Sequence, residues 1–194
     1  MLLALACALV GGAPSAAAAR QIRAAALVAQ PAELPGFHFA EREIQSATTA
    51  GRYAKQILQD GPKEARKEIV ALDRHGFREG VQEGFDGLAG EALSLGMEFS
   101  SPAGAAWEYA VSLHEIARGQ RATRFSVAGV PGAIGFVHLA KSGPGGYGNV
   151  IVRTGRCFFL VGDALQNATS PQQISAAPSA GALALYTHDS RLCA

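Results

Sequence analysis

A surplus of charge of either sign is missing from this 194-residue chain, in which Lys and Arg number 17 against 16 Asp and Glu. With a net charge of +1 there is no cationic excess to hold a phosphate backbone by counterion release, which sets nucleic acid aside as a partner. Charged residues make up only 17% of the chain, Trp occurs once and Met twice. Much of the 48% hydrophobic content is Ala, which contributes little apolar area, so the core is expected from scattered Phe, Leu, Ile and Val. Three cysteines without a CxxC pair exclude a dithiol redox motif and a cysteine-rich metal knuckle. No serine stands in a GxSxG elbow. Lysine is scarce, at 4 against 13 Arg, and with the Ala and Gly bias this points to a GC-rich, bacterial coding sequence.

The longest apolar run, Leu2 to Val10, falls well short of the roughly 20 residues that cross a bilayer. Gly11, Gly12 and Pro14 break it and Ala16 to Ala19 follow, so residues 1–19 read as a signal peptide cleaved near Ala19 and Arg20. No Lys or Arg precedes the run. Ala4-Leu5-Ala6-Cys7 falls short of a lipobox, because only six residues precede Cys7 and the chain stays apolar after it, so lipid anchoring is not expected. Residues 20–36, Ala-rich and ending with Pro31 and Pro35, are expected as a flexible tether. Residues 37–194 are then one domain. Cys157 and Cys193 are an even pair in an oxidising compartment, which permits one disulfide; two free thiols are the alternative.

Within the domain, an irregular stretch and a short helix are expected from Phe37 to Leu58. Asp60 and Pro62 open a helix that carries Ala65, Ile69 and Leu72 on one side and ends at Gly76. Phe77, Val81 and Phe85 suggest a strand, and after a turn at Gly87 to Gly90 the residues Leu93, Leu95, Met97 and Phe99 alternate with Ser94, Gly96 and Glu98. That alternation predicts a strand with one buried and one wet face. Ser101-Pro102 starts a second helix with Ala106, Trp107, Ala110, Leu113 and Ala117 along one side, closed by Gly119. Four strands are expected next, over Ala122 to Ala128, Ala133 to Ala140, Tyr147 to Arg153 and Arg156 to Gly162, with a tight hairpin at Thr154-Gly155. A last helix passes through Leu183, Leu185 and Tyr186, starting at Ser170-Pro171 or at Pro178-Ser179. Short turns make the strands antiparallel, and the helices should cover one face of the sheet, an α+β sandwich.

The order of these features resembles small exported or lipid-anchored actinobacterial proteins with a PsbP and Mog1 type of α/β/α domain. The residues that carry it are Gly76-Phe77, Phe99 before Ser101-Pro102-Ala103-Gly104-Ala105-Ala106-Trp107, Val130-Pro131-Gly132-Ala133, and Asn149-Val150-Ile151-Val152 before Phe158-Phe159-Leu160-Val161. The resemblance spans Asp60 to Gly162 and implies a fold and an exported setting, with no catalytic residues to carry over.

Two motifs fail on context. Gly143-Pro144-Gly145-Gly146-Tyr147-Gly148 satisfies GxGxxG, but a dinucleotide site needs a helix after it and here a β-branched run follows, so a mobile loop is expected instead. His114-Glu115 lacks the second histidine of a zinc-protease helix, since Arg118 stands four residues on. The five histidines share no ligand spacing, so neither a metal nor a cofactor is expected. His138 sits in an otherwise apolar strand and must find a partner or line a cavity; Ile134, Phe136 and His138 should share one face. The reading that results is an exported, non-enzymatic domain that binds a small ligand or an envelope protein, with His138, Gly145 and Tyr147 as candidate ligand-binding residues. A hydrolase or lyase built on His138, His75 and Glu98, or a structural protein of the cell envelope, are the alternatives.

Overall fold

The computed structural model describes residues 23–40, 44–59, 61–119, 122–189 and 193–194. The expected signal peptide, its cleavage site and the capping role of Asp60 lie outside the described residues. Eight strands, β1 (Phe37–Phe39), β2 (Gln45–Ala47), β3 (Phe77–Gly87), β4 (Gly90–Phe99), β5 (Thr123–Ser126), β6 (Ile134–Leu139), β7 (Gly146–Thr154) and β8 (Cys157–Leu165), form one sheet. Its order is β1-β3-β4-β8-β7-β6-β5, with β2 beside β1 on the outer edge of β3, and every described pairing is antiparallel. The helices are α1 (Ala50–Arg52), which runs on as a π-helical turn over Tyr53–Ile57, α2 (Pro62–Arg74), α3 (Pro102–Gly119) and α4 (Pro171–Asp189). The architecture is α+β. The two short edge strands β1 and β2 went unread in the sequence, since three residues are too few to show a period. Of the two candidate starts for the last helix, Pro171 is the one used, and Pro178 lies inside it.

Helices cover both faces of the sheet rather than one. On one face, α1 with its π-helical turn, α2 and α3 pack on Leu95, Met97, Phe99, Ile151 and Phe158. On the other, α4 and residues 24–34 pack on Val81, Phe85, Val150, Val152, Phe159 and Val161. The inner stripe of α3 also differs from the one expected. Ala105 is buried and Ala110 and Ala117 are exposed, while Glu108 occupies an inward position.

The segment expected as a tether is part of the core. Ala24, Leu27, Val28, Ala29 and Leu34 are all buried, and they lie on the side of β4 that alternation marked as wet. Ser94 and Glu98 are buried as a result, at 0% and 2% exposure. The physical reason is shape. An added Cβ at Gly96 would stand 1.9 Å from the Leu27 carbonyl oxygen, so only a glycine lets this chain lie flat on the strand. Beside it, the Ala29 amide donates to Ser94 Oγ at 2.9 Å, and Arg23 pairs with Glu98 and with Glu79.

The C-terminus closes the same end. Cys157 and Cys193 are joined by a disulfide across 5.4 Å between Cα atoms, both cysteines buried. The Arg156 amide donates to the Cys193 carbonyl at 2.8 Å, directly above Gly155, whose φ of +50° makes the tight hairpin. Arg156 also reaches Glu98, with Nε 3.0 Å from Oε1.

Two outcomes follow. The bridge closes a loop with a sequence separation of 36 residues, and Cys193→Ala should therefore cost about 2 to 4 kcal/mol in urea unfolding under non-reducing conditions. A Gly96→Val variant, or deletion of residues 23–36, should lower the melting temperature by more than about 10 °C, given that several buried side chains are displaced together. A deletion that melts like the wild type would return the segment to the status of a tether.

Candidate functional site

Two faces of one sheet are covered unequally. Helix α3 lies across the half that carries Leu95, Met97 and Phe158, anchored where Tyr109 Oη donates to the Gly132 carbonyl at 2.7 Å. The opposite half of that face is open. Strand alternation and register fix what lies there, because cross-strand partners share a face. One row runs Gly84, Leu93, Gly162, Asn149, Phe136, and the next, nearer the open end, runs His38, Asp86, Glu91, Ala164, Tyr147, His138.

The first row from Gly84 to Asn149 and the second from Asp86 to Ala164 bound an open trough of about 590 Å³. Gly84 and Gly162 provide its low floor, Leu93 its apolar patch, and Gln45, Gln82 and Asn149 place carboxamides around it. Asp86 and Glu91, directly paired across β3 and β4, stand at the end and are exposed. At Gly84 an added Cβ would find its closest neighbour, the Ala40 methyl, at an ordinary 3.9 Å. Among the described residues, no side chain is packed over Gly84. Gln45 Oε1 is buried and lacks a hydrogen-bond partner among the described residues.

The residues singled out in the sequence are dispersed. His138 and Tyr147 do come together, as ladder partners with stacked rings 5.0 Å apart, and Ile134, Phe136 and His138 share a face. His138 is half-buried rather than in the core: α4 packs at that end on the opposite face of the sheet, through Ile174 against Val137. Gly145 is buried; its amide donates to the Ala168 carbonyl at 2.7 Å and its carbonyl accepts from the Ala140 amide at 2.8 Å. The loop is thus hydrogen-bonded at Gly145 while residues 141–144 are exposed, and β7 follows it where a dinucleotide site would need a helix. His75 stacks on Trp107 at 4.2 Å beyond the end of α2, and Glu98 is buried on the other face. The trio His138, His75 and Glu98 therefore forms no common site. Among the described residues no three His, Cys, Asp or Glu side chains converge as metal ligands.

Sequence reasoning missed Asp86, Glu91, Gln82 and Gln45. They stand on three different strands, Gln45 on β2, Gln82 and Asp86 on β3 and Glu91 on β4, and only register brings them together, so no local pattern marks them as a group.

Buried acids carry the largest electrostatic perturbations, and one of them, Asp163, also borders the trough. Asp163 is 5% exposed beside Ile174 of α4; Oδ1 accepts from the Gly148 amide at 3.2 Å, and Oδ2 is buried without a partner among the described residues. Burial pushes its carboxyl up to about 7, the Gly148 contact pulling the other way. Glu108 is also pushed up to about 7, first by burial and then by the charges of Glu68 and Glu115, while the Ser112 hydroxyl that donates to it opposes the rise. Burial raises Glu83 as well, countered by the Gly84 amide.

No family model matches this chain, and no curated protein matches it. Among solved structures it is similar to the extracellular domain of PknH from Mycobacterium tuberculosis, at 9% identity over 78% of this chain and 81% of that one, with a TM-score of 0.43. A likeness of that size transfers no residue and no activity. It also lends nothing to the PsbP and Mog1 resemblance.

The raised acids set the sign of the pH dependence. A carboxyl whose folded pKa exceeds its unfolded value binds more protons when folded, so its contribution is fully present below about pH 4 and is lost as pH rises to about 7. Asp163→Asn keeps an acceptor for the Gly148 amide and removes the ionisable group. At pH 8 it should stabilise the fold by on the order of 2 to 4 kcal/mol, and at pH 4 it should change little. Urea unfolding at the two pH values checks this; an equal effect at both would remove ionisation as the cause.

Proposed function

We propose that this chain is an exported, non-enzymatic domain that holds a small polar ligand in the trough over Gly84 and Gly162. The observation that carries the reading is a trough of about 590 Å³, open over Gly84 among the described residues and ringed by Gln45, Gln82, Asn149, Asp86 and Glu91. Pockets of this kind, a few hundred Å³ with a small apolar patch and converging polar groups, are where small ligands sit. Binding is favoured over catalysis by solvent: Asp86 and Glu91 are exposed, and electrostatic stabilisation of a transition state is weakest where water screens it. Export is supported by the disulfide, since such bonds persist in oxidising compartments, and by the leader-like residues 1–19. No helix among the described residues is long and apolar enough to cross a membrane.

A Cβ added at Gly84 meets no described backbone atom within 4 Å, so a larger residue can start into the trough from there. Gly84→Phe should fold with a melting temperature within about 3 °C of the wild type, because an aromatic residue suits a strand at least as well as glycine does. Native mass spectrometry of small molecules carried through purification should show adducts on the wild type and none on the variant. Adducts retained equally by both would place the ligand elsewhere.

A further inference from the structure

Helix α4 meets the sheet over two glycines of the Gly143 to Gly148 run. Ile174, fully buried, rests on β7 with Cδ1 over Gly146 and Cγ2 over Gly148, where added Cβ atoms would stand 2.5 and 2.8 Å away. That close approach also brings the helix backbone down. The same Cβ point over Gly148 lies 3.1 Å from the Ile174 carbonyl oxygen and 3.2 Å from Asp163 Oδ1. Pro178, four residues on and inside α4, has no amide to give that carbonyl. Asp163 Oδ1 accepts from the Gly148 amide, and the buried Oδ2 has no partner among the described residues. A helix carbonyl deprived of its usual donor thus flanks the same point as a buried carboxyl. An ionised carboxylate offers only acceptors and meets that carbonyl with like polarity, whereas a neutral carboxyl carries one O–H donor.

We propose that Asp163 is a latch: as a neutral acid its hydroxyl donates to the Ile174 carbonyl and holds the first half of α4 on the sheet, and on ionisation that half swings away about Pro178. A helix bends at proline because one of its hydrogen bonds is missing there. The moving half has a start of its own, in which Ser170 Oγ accepts from the Gln173 amide at 3.4 Å and Gln173 Oε1 from the Ser170 amide at 3.1 Å. Its departure uncovers the apolar cluster of Val137, Ala168 and Ile174. Other charges stand back from Asp163. Helix α4 carries no titratable side chain before Tyr186, and Lys141, on the loop ahead of β7, is exposed. On the same face of the sheet the nearest described acid is Glu83, one row along and two strands away, with Glu79 and Glu98 farther still beside Arg23 and Arg156. His188, at the far end of α4, pairs with Glu33. Burial raises the Asp163 carboxyl to about 7, and lifting α4 returns it to water and its ordinary value of 3.8. The latch is therefore complete below about pH 4 and is lost as pH rises to about 7. It does not depend on the trough being a ligand site.

The test is carboxyl NMR and amide hydrogen exchange on the ¹³C,¹⁵N-labelled full chain. The Asp163 ¹³Cγ resonance should titrate well above the ordinary carboxylate range. From pH 5 to pH 7 the protection factors of Ser175, Ala176 and Ala177 should fall by about tenfold or more. Their exchange should be insensitive to low urea, because a local opening exposes little surface, while that of Ala182 to Leu185, beyond Pro178, should accelerate with urea as global unfolding does. In Asp163→Asn, whose carboxamide supplies a donor and an acceptor at every pH, the first half of α4 should lose its pH response. Pro178→Ala gives the Ile174 carbonyl an amide and should bring both halves to the same protection. An Asp163 that titrates in the ordinary range overturns the latch, as does a pH response that survives in Asp163→Asn. Equal urea dependence on the two sides of Pro178 makes the opening global and overturns it too, and a difference between the halves that persists in Pro178→Ala removes the proline as its hinge.

Discussion

Glu98 is a carboxylate taken out of water in the middle of a sheet, and two guanidinium groups from distant parts of the chain keep it there. Arg23 comes from the segment before β1, and Arg156 from the hairpin between β7 and β8. A buried ion pair gives little net stability compared with an apolar replacement, yet removing one partner costs about 3 to 5 kcal/mol because the other charge stays buried and alone. The pairing therefore acts as a condition more than as a glue. Residues 23–34 have to lie on β4, and the hairpin has to close under the Cys193 carbonyl, before Glu98 can be tolerated where it is. The disulfide from Cys157, the ladder partner of Glu98, holds the C-terminus at the same spot. The first described residues of the chain and its last ones thus share one end of the sheet.

This explains which parts of the fold could be read in the sequence. Segments whose burial follows a period were legible: α2 between Pro62 and Gly76, the Leu93 to Phe99 face of β4, the Thr154-Gly155 hairpin and the run of strands after Val130. Periodicity fails where the burying partner is not itself periodic. Ser94, Gly96 and Glu98 look like a solvated face, and they are covered because a non-repetitive, Ala-rich segment is small enough to lie on a glycine. The same segment looked disordered because it holds few large side chains, whereas its contribution is close approach of backbone to backbone. Glu108 shows the complementary failure: an acid in the inner stripe of α3 breaks the apolar pattern, and its cost is limited by protonation instead of by a counterion.

The trough was the least legible feature because it consists of what is missing. Its floor is two glycines on strands that are not adjacent, β3 and β8, aligned by register through Leu93 of β4. Nothing in the local sequence around Gly84 or Gly162 distinguishes them from turn or bulge glycines. His138 and Tyr147 were legible as a polar break in an apolar strand and as a loop aromatic, and register does bring them together, but two strands away from the carboxylates. What positions the trough is the length of α3: it covers the part of the sheet around Met97 and Phe158 and reaches no row beyond Leu95 and Leu160.

The two ends of the sheet are therefore specialised in opposite senses. Arg23 enters at the row of Glu79 and Glu98, and the carboxylates of the trough stand seven residues along β3 at Asp86, about 23 Å away at the rise of an extended strand. Ion pairs, a disulfide and the backbone contact over Gly96 concentrate stability at the end where Arg23 enters. At the other end the face that carries Asp86 and Glu91 has no helix packed on it among the described residues, and both carboxylates keep their exposure to water. Stability is thereby concentrated in rows away from the open face, so a change at one need not compromise the other.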